Sequence, residues 1–412
     1  MKIDFTNFGS SQNFAQEDWN KFSKQLPEFL TKIKNRKQGF YQIFNNEFFK
    51  KEITEIKKFA ELSKNKFKDI VVCGIGGSAL GTLAIQEALG ETFPRNFPRL
   101  HVLENIDADA IAELTEFLDF SRTLFIVISK SGETIETISQ YKYFREILEQ
   151  LNLERKKHFI FVTGESGFLR EESAKSGITT FSVPENIGGR FSVLTAVGLL
   201  PAALIGINID ELLAGAEEIS RKFQSKDFTE NLPFQLATAQ FFAKKPQNIL
   251  MPYSAKMKKF GNWWAQLLAE STGKGGKGIT PIPAQGVTDQ HSQLQLFVDG
   301  PADKLVIFME ISRRNKTPSL NLVQDRNWLK PKLKIFEKLM HAELKGTAQA
   351  LTEKGCPNFT IQVDKISAKN LGKLFMLFMG ATAFLGEFMG INVFNQPGVE
   401  RSKILAKNFL NS

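Results

Sequence analysis

Apolar and polar positions along this chain follow two rhythms in turn. A short unbroken apolar run occurs at 124–128 (LFIVI), and mostly apolar stretches at 69–73 (DIVVC) and 158–163 (HFIFVT). Runs of this length, rich in β-branched residues, predict strands buried on both faces. A shorter strand is expected at 101–103. Between the runs, apolar residues recur at helical spacing. They predict helices ending at Leu89, over 108–118, after Thr134 (Ile135, Ile138, Phe144, Leu148) and over 168–175. Strands alternating with helices at this pace predict a doubly wound parallel sheet in a three-layer α/β/α domain.

The rhythm then repeats. A boundary region at 188–210 contains an apolar helix over 194–204, which ends near Gly206. A second α/β set follows it. Helices are expected near 211–222, 231–243 and 257–270, with strands at 248–251, 304–310 and 359–363. Long helices over 329–352 and 368–389 and a charged helix over 398–410 complete the chain. Before the first strand, Phe48, Phe49, Ile53, Ile56 and Phe59 sit at helical spacing. The expected organisation is a helical lead-in (1–67), a first α/β domain (68–208), a second (209–390) and a terminal arm with a helix (391–412).

Composition changes this picture little. At 412 residues the chain can hold two cores, and 24% charged and 42% apolar residues are ordinary for a soluble globular protein. The 38 phenylalanines predict aromatic-rich cores. Cys73 and Cys356 have no paired-ligand spacing, so neither a disulfide framework nor a metal site is expected. The net charge of +9 comes from scattered lysines, as in KIKNRK, KNKFK and KPKLK. No aromatic-basic recognition motif accompanies them, so a solvated lysine surface is expected and nucleic acid is not. That surface would attract small anions mildly. The first residues lack the apolar core of a signal peptide. The apolar stretch 374–385 is twelve residues long, which suits a core helix better than a membrane span. The expectation is a cytoplasmic protein without a membrane partner.

Two loops carry candidate chemistry. After the strand at 69–73 comes GIGGSALGT, which contains Gly77 and Ser78. After the strand at 124–128 comes SKSGET, with Ser129, Lys130, Ser131, Gly132 and Thr134. The first loop lacks the G-x-G-x-x-G spacing of a dinucleotide site. Each loop sets hydroxyls and backbone N–H groups at a strand-to-helix junction, where unpartnered N–H groups and the helix dipole favour an anion. Plain helix capping by Ser and Thr is the alternative for each loop taken alone. Together they lie at the carboxyl ends of two strands of one sheet, where open α/β sheets bind ligands.

SKSGET with the preceding GIGGS resembles the sugar isomerase domain, a phosphosugar-binding fold. ENIGGRFSVLTAVG (185–198) and FNQPGVERSK (394–403) resemble two signatures of the glucose-6-phosphate isomerase family. Between them, WWAQLLAESTGKGGKG and TDQHS resemble that family's catalytic blocks, in the family's order. The chain is shorter than animal members, Pro397 lies inside the second signature, and the N-terminal residues match poorly.

The resemblance implies two sugar isomerase domains and reversible conversion of glucose 6-phosphate to fructose 6-phosphate, with no metal or organic cofactor. That reaction needs a base close to C1 and C2, a stabiliser for the enediolate, and an acid/base pair to open the ring. The resemblance gives Glu270 the proton shuttle, Arg190 the enediolate, and His291 with Lys403 the ring opening. Gly77, Ser78, Ser129, Lys130, Ser131 and Thr134 would hold the phosphate, with Gln266 and Gln396 beside the sugar. It also implies a homodimer in which the histidine reaches the partner's site.

Chemistry supports several of these roles. Glu270 ends a helix beside Trp263 and Trp264, where partial desolvation would raise a carboxyl pKa. Arg190 follows two glycines and stays charged. Bland alternatives stand beside them: a surface glutamate, a structural ion pair for Arg190, a helix-cap histidine, and an exposed Glu400–Lys403 pair. Three rival functions remain. Glucosamine-6-phosphate isomerisation with amide transfer would need a glutaminase domain, for which the chain lacks room. An isomerase that also accepts mannose 6-phosphate is closer. A silent phosphosugar-binding regulator would keep the phosphate loops without the catalytic set.

Overall fold

The computed structural model describes residues 1–92, 94, 96–316 and 335–410. Among these, ten strands occur in chain order: β1 (Lys2–Asp4), β2 (Asp69–Cys73), β3 (Arg99–Leu103), β4 (Thr123–Ser129), β5 (Phe159–Thr163), β6 (Thr179–Ser182), β7 (Gln247–Pro252), β8 (Thr280–Pro283), β9 (Lys304–Ile311) and β10 (Asn358–Val363). The long apolar runs became central strands. Every residue of β2, β4 and β5 is buried, because helices cover both faces of a parallel sheet.

The first sheet has the order β3-β2-β4-β5-β6 and is parallel throughout. The second has the order β8-β7-β9-β10-β1. Its first four strands repeat the winding of the first sheet, so the doubly wound expectation holds twice. The fifth place is filled differently. β1 comes from the start of the chain and pairs antiparallel with β10, Ile3 opposite Ile361. The lead-in is therefore not wholly helical, as its spacing predicts. A three-residue strand shows too little alternation to read, and its partner lies more than 350 residues downstream. β6 and β8 also escape the apolar pattern. β8 reads TPIP, and its two prolines are tolerated because it is an edge strand.

After β1 the lead-in is helical and docks through its aromatic residues. Phe8 packs edge-on to Phe359 of β10, at 6.0 Å between ring centres, and Phe14 packs against Phe242 at 4.4 Å. The helix Ala368–Met389, long and apolar enough to cross a membrane by composition, lies mostly buried in the core. It packs on the helices Ile209–Phe223 and Leu232–Ala243. The long helix expected over 329–352 is present as Ile335–Glu353. The first part of that expectation lies outside the described residues.

Candidate active site

In the first sheet, the connection leaving β2 runs to one side and the connection leaving β4 to the other. A crevice opens where such connections diverge, at the strands' carboxyl ends. The two candidate loops flank it. After β4, Gly132 takes φ +69°, a conformation that favours glycine, and lets the chain fold back. The Ser129 and Thr134 hydroxyls then meet at 2.8 Å, with Ser131 Oγ 3.4 Å from Ser129 Oγ. Glu133 N–H donates to Ser131 Oγ at 3.2 Å. Thr134 is the N-cap of helix Ile135–Gln150, yet its hydroxyl makes no capping bond. The capping alternative therefore does not account for it. Lys130 is occupied elsewhere: its ammonium donates to Glu185 O (2.7 Å) and Ile187 O (3.0 Å), and burial pulls its pKa down.

The loop after β2 makes a tight turn at Gly76–Ser78. A Cβ on Gly77 would lie 2.4 Å from the carbonyl carbon of Gly189 and 2.8 Å from Arg190 N. Only a glycine lets this turn rest on the turn Gly189–Phe191, which carries Arg190. A Cβ on Gly76 would lie 3.0 Å from Gln266 Nε2, so the helix Lys258–Thr272 also reaches this loop.

Arg190 is 2% exposed. Its Nε donates to Ser271 Oγ at 2.8 Å, and one terminal nitrogen donates to Gln396 Oε1 at 3.0 Å. The other terminal nitrogen donates to Val393 O and to Asn395 O. Glu270 Oε1 sits 3.2 Å from the guanidinium. Burial pulls the Arg190 pKa down and the Glu270 carboxylate pushes it back, so the group remains charged. One side chain thus joins the turn that rests on the loop after β2, the helix Lys258–Thr272 and residues 393–396.

Glu270 is about a quarter exposed and receives Gln266 Nε2 at 3.1 Å. Residues 266 and 270 are one turn apart, so they share a helix face. Gln266 Oε1 is buried with no partner among the described residues. The tryptophans do not play the expected part. They precede Glu270 by six and seven residues, roughly 10 Å along the axis. Trp263 packs on Phe260 and Phe375, and Trp264 on Phe378. The carboxylate instead meets a guanidinium and an amide.

Two predicted residues stand apart from this cluster. His291 ends the turn Thr288–His291 and is exposed. The turn itself is well held: Gln290 bridges Tyr253 Oη (2.9 Å) and Glu343 (3.0 Å), and Asp289 accepts from Gln285 N–H at 2.6 Å. Lys403 lies on helix Glu400–Leu410, which has no buried residue, and pairs with Glu400 at 3.0 Å. That is the exposed ion pair of the bland alternative. No hydrogen bond or ion pair among the described residues joins either side chain to Arg190 or Glu270.

Two other residues were not singled out from the sequence. Ser271 receives Arg190, and Lys274 donates to Glu270 O and Ser271 O at 2.9 and 2.6 Å. A signal for Lys274 was present: a lysine just past a helix end often binds the last carbonyls. Among the described residues, no three His, Cys, Asp or Glu side chains form a metal-binding group.

Comparisons with known proteins bear on this arrangement. The phosphoglucose isomerase family model matches residues 48–293. A glucose-6-phosphate isomerase of Carboxydothermus hydrogenoformans is 38% identical, over 98% of this chain and 93% of the relative. One from Campylobacter jejuni is 34% identical, over 97% of this chain and 98% of the relative. The crystal structure of a hypothetical protein from Thermus thermophilus superposes with a TM-score of 0.92 at 30% identity, over the full length of both chains. A glucose-6-phosphate isomerase from Chlamydia trachomatis shares the fold, with a TM-score of 0.86 at 22% identity over 97% of this chain and 87% of the other. By its sequence over nearly its whole length, this chain belongs to the phosphoglucose isomerase family.

Proposed function

We propose that this protein interconverts glucose 6-phosphate and fructose 6-phosphate, with the phosphate at the two loops and the proton transfer at Glu270. The observation that carries the reading is the Glu270–Arg190 pair at 3.2 Å, set beside a glycine turn at the carboxyl end of β2. The Ser129, Ser131 and Thr134 hydroxyls and the first N–H groups of helix Ile135–Gln150 would receive the phosphate. Ser78, on the loop after β2, would complete the phosphate site.

The ion pair suits proton shuttling. When Glu270 takes the C2 proton it loses its charge, while the C1 oxygen of the cis-enediolate gains one. Arg190 can then face an anion throughout, so its fixed positive charge needs no reorganisation. Transfer of the O2 hydroxyl proton to O1, with return of the carbon-bound proton from Glu270 to C1, gives the ketose. The buried, unpartnered Gln266 Oε1 can accept from a sugar hydroxyl. Gln396, already bonded to Arg190, lies at the same place. The catalytic groups beside the phosphate loops weigh against a silent binding protein.

A coupled assay on purified protein tests this reading, with glucose 6-phosphate, mannose 6-phosphate and glucosamine 6-phosphate as substrates and chelator present. Glucose 6-phosphate should turn over. Ser131→Ala with Thr134→Ala should weaken binding of the sugar phosphate, at roughly 1.5–3 kcal/mol for each lost hydrogen bond to the dianion. No isomerisation, or unchanged affinity in the double mutant, would overturn the assignment.

Ring opening falls to His291 and Lys403, and we place His291 across the interface of a homodimer. Its exposure, and the absence of any bond to the cluster in its own chain, support that placement. Glu270→Gln and His291→Ala proteins should each be inactive alone. After subunit exchange, the mixed dimer has one site with both groups intact, so activity should return. Demonstrated exchange with no recovery would place His291 in its own subunit's site.

A further inference from the structure

Glu270 and Ser271 occupy the last turn of helix Lys258–Thr272. The final carbonyls of a helix have no intrahelical donors and need other partners. Gly273 N–H closes on Ala269 O at 3.0 Å, and Thr272 Oγ1 turns back to Leu268 O at 2.8 Å. The carbonyls of Glu270 and Ser271 both receive the Lys274 ammonium. The loop is shaped to return it there. Gly275 and Gly276 take φ +58° and +74°, and Lys274 and Lys277 exchange backbone hydrogen bonds, each at 3.0 Å. Ile279 N–H then ties the loop to Thr272 Oγ1 at 3.1 Å.

We infer that Lys274 is a positioning residue, which fixes the carboxylate that moves the proton and the hydroxyl that receives Arg190 by holding the two carbonyls between them. The inference rests on Glu270 being the base. Without the clamp, the Glu270 and Ser271 carbonyls lose their shared donor, and the turn that sets the Glu270–Arg190 separation is held less tightly. Lys274 touches the carbonyls rather than the carboxylate, so it acts through the backbone.

Charge reinforces the clamp. Burial, and then the Arg190 guanidinium, pull the Lys274 ammonium down to about 8, against an opposing pull from Glu270. Arg190 faces it from the turn Gly189–Phe191, and Glu270 faces it from its own helix. Lys277, in the same loop, donates instead to Met389 O of the long core helix, at 2.7 Å. As pH rises through about 8, the clamp loses its charge. Its hydrogen bonds then weaken towards those of a neutral donor, so activity should fall on that side.

The test compares wild type, Lys274→Met, Lys274→Arg and Glu270→Gln by kcat, KM, exchange of the C2 proton with solvent, and the pH profile of kcat. Lys274→Met should lose kcat and C2 exchange together, by roughly 10–100-fold, because displacing a reacting group by about 1 Å costs on the order of 10²-fold. KM should stay within about twofold, since the phosphate is held elsewhere. Lys274→Arg keeps a charge that does not titrate, so it should recover most of kcat and lose the alkaline fall. Normal kcat and exchange in a folded Lys274→Met protein would overturn the inference, as would a loss confined to KM. If Lys274→Met does not fold, an unchanged alkaline fall in Lys274→Arg overturns it. Normal turnover in Glu270→Gln removes the base assignment and this inference with it. An inactive Glu270→Gln beside a normal Lys274→Met removes this inference alone.

Discussion

Glu270→Gln is expected to bind sugar phosphate normally and to turn it over on the order of 10²–10⁴ times more slowly. Glutamine has the same size and can keep the contact with Gln266, but it cannot accept the C2 proton. The substitution leaves a buried guanidinium without its anion and should lower stability, but the fold should persist because other acceptors remain. Arg190 keeps Ser271, Gln396 and the carbonyls of Val393 and Asn395 as partners. Exchange of the C2 proton with solvent deuterium should vanish along with turnover. Ring opening is proposed to use other groups, so the two anomers of the substrate should still interconvert faster than in buffer. Near-normal turnover would remove Glu270 from the base role. Loss of ring opening with C2 exchange retained would do the same.

Arg190→Met should affect both chemistry and stability. Loss of one preorganised charge at a developing oxyanion costs roughly 10²–10³ in kcat. The same change leaves Glu270 without its cation and strips a donor from Ser271, Gln396 and two backbone carbonyls. Breaking a buried ion pair costs about 3–5 kcal/mol. The lower end is expected here, because the Glu270 side chain is 26% exposed. Arg190→Lys keeps the charge but not the fork, and one ammonium cannot reach all these acceptors at once. It should therefore recover part of the activity and little of the stability. Amide hydrogen exchange locates the effect: protection over 391–399 should fall in Arg190→Met. Unchanged kcat would sink the enediolate role, and unchanged protection would show that the arm is anchored by something else.

The features legible in the sequence share a physical basis. The run at 124–128 announces a buried strand because a parallel strand leaves no polar face, and β4 extends it by one residue before and one after. SKSGET announces a hydroxyl-lined strand-to-helix loop because its hydroxyls, its glycine and the helix start are contiguous. What stayed hidden depends on distant backbone. Arg190 is held partly by the carbonyls of Val393 and Asn395, and carbonyls are the same in every residue. Lys274 also grips carbonyls, but near ones, and its place just past a helix end was the signal that pointed to them. The Trp263–Trp264 pair misled because nearness in sequence was read as nearness in space. Two turns of helix carry Glu270 away from the indoles towards a guanidinium some 80 residues back in the sequence. β1 and β8 stayed hidden because they are edge strands, whose places are set by a partner rather than by an apolar run.

The β1–β10 pairing also sets a timetable. On the ribosome, Lys2–Asp4 emerges long before the strand it must join, which ends at Val363. At about 5–20 residues per second, the first strand waits on the order of 20–70 s for its partner. β1 is thus made well before the strand that seats it. The second α/β unit is therefore not self-sufficient: cut free of the first residues, it would expose the outer edge of β10, a row of unpaired backbone groups of the kind that recruits foreign strands.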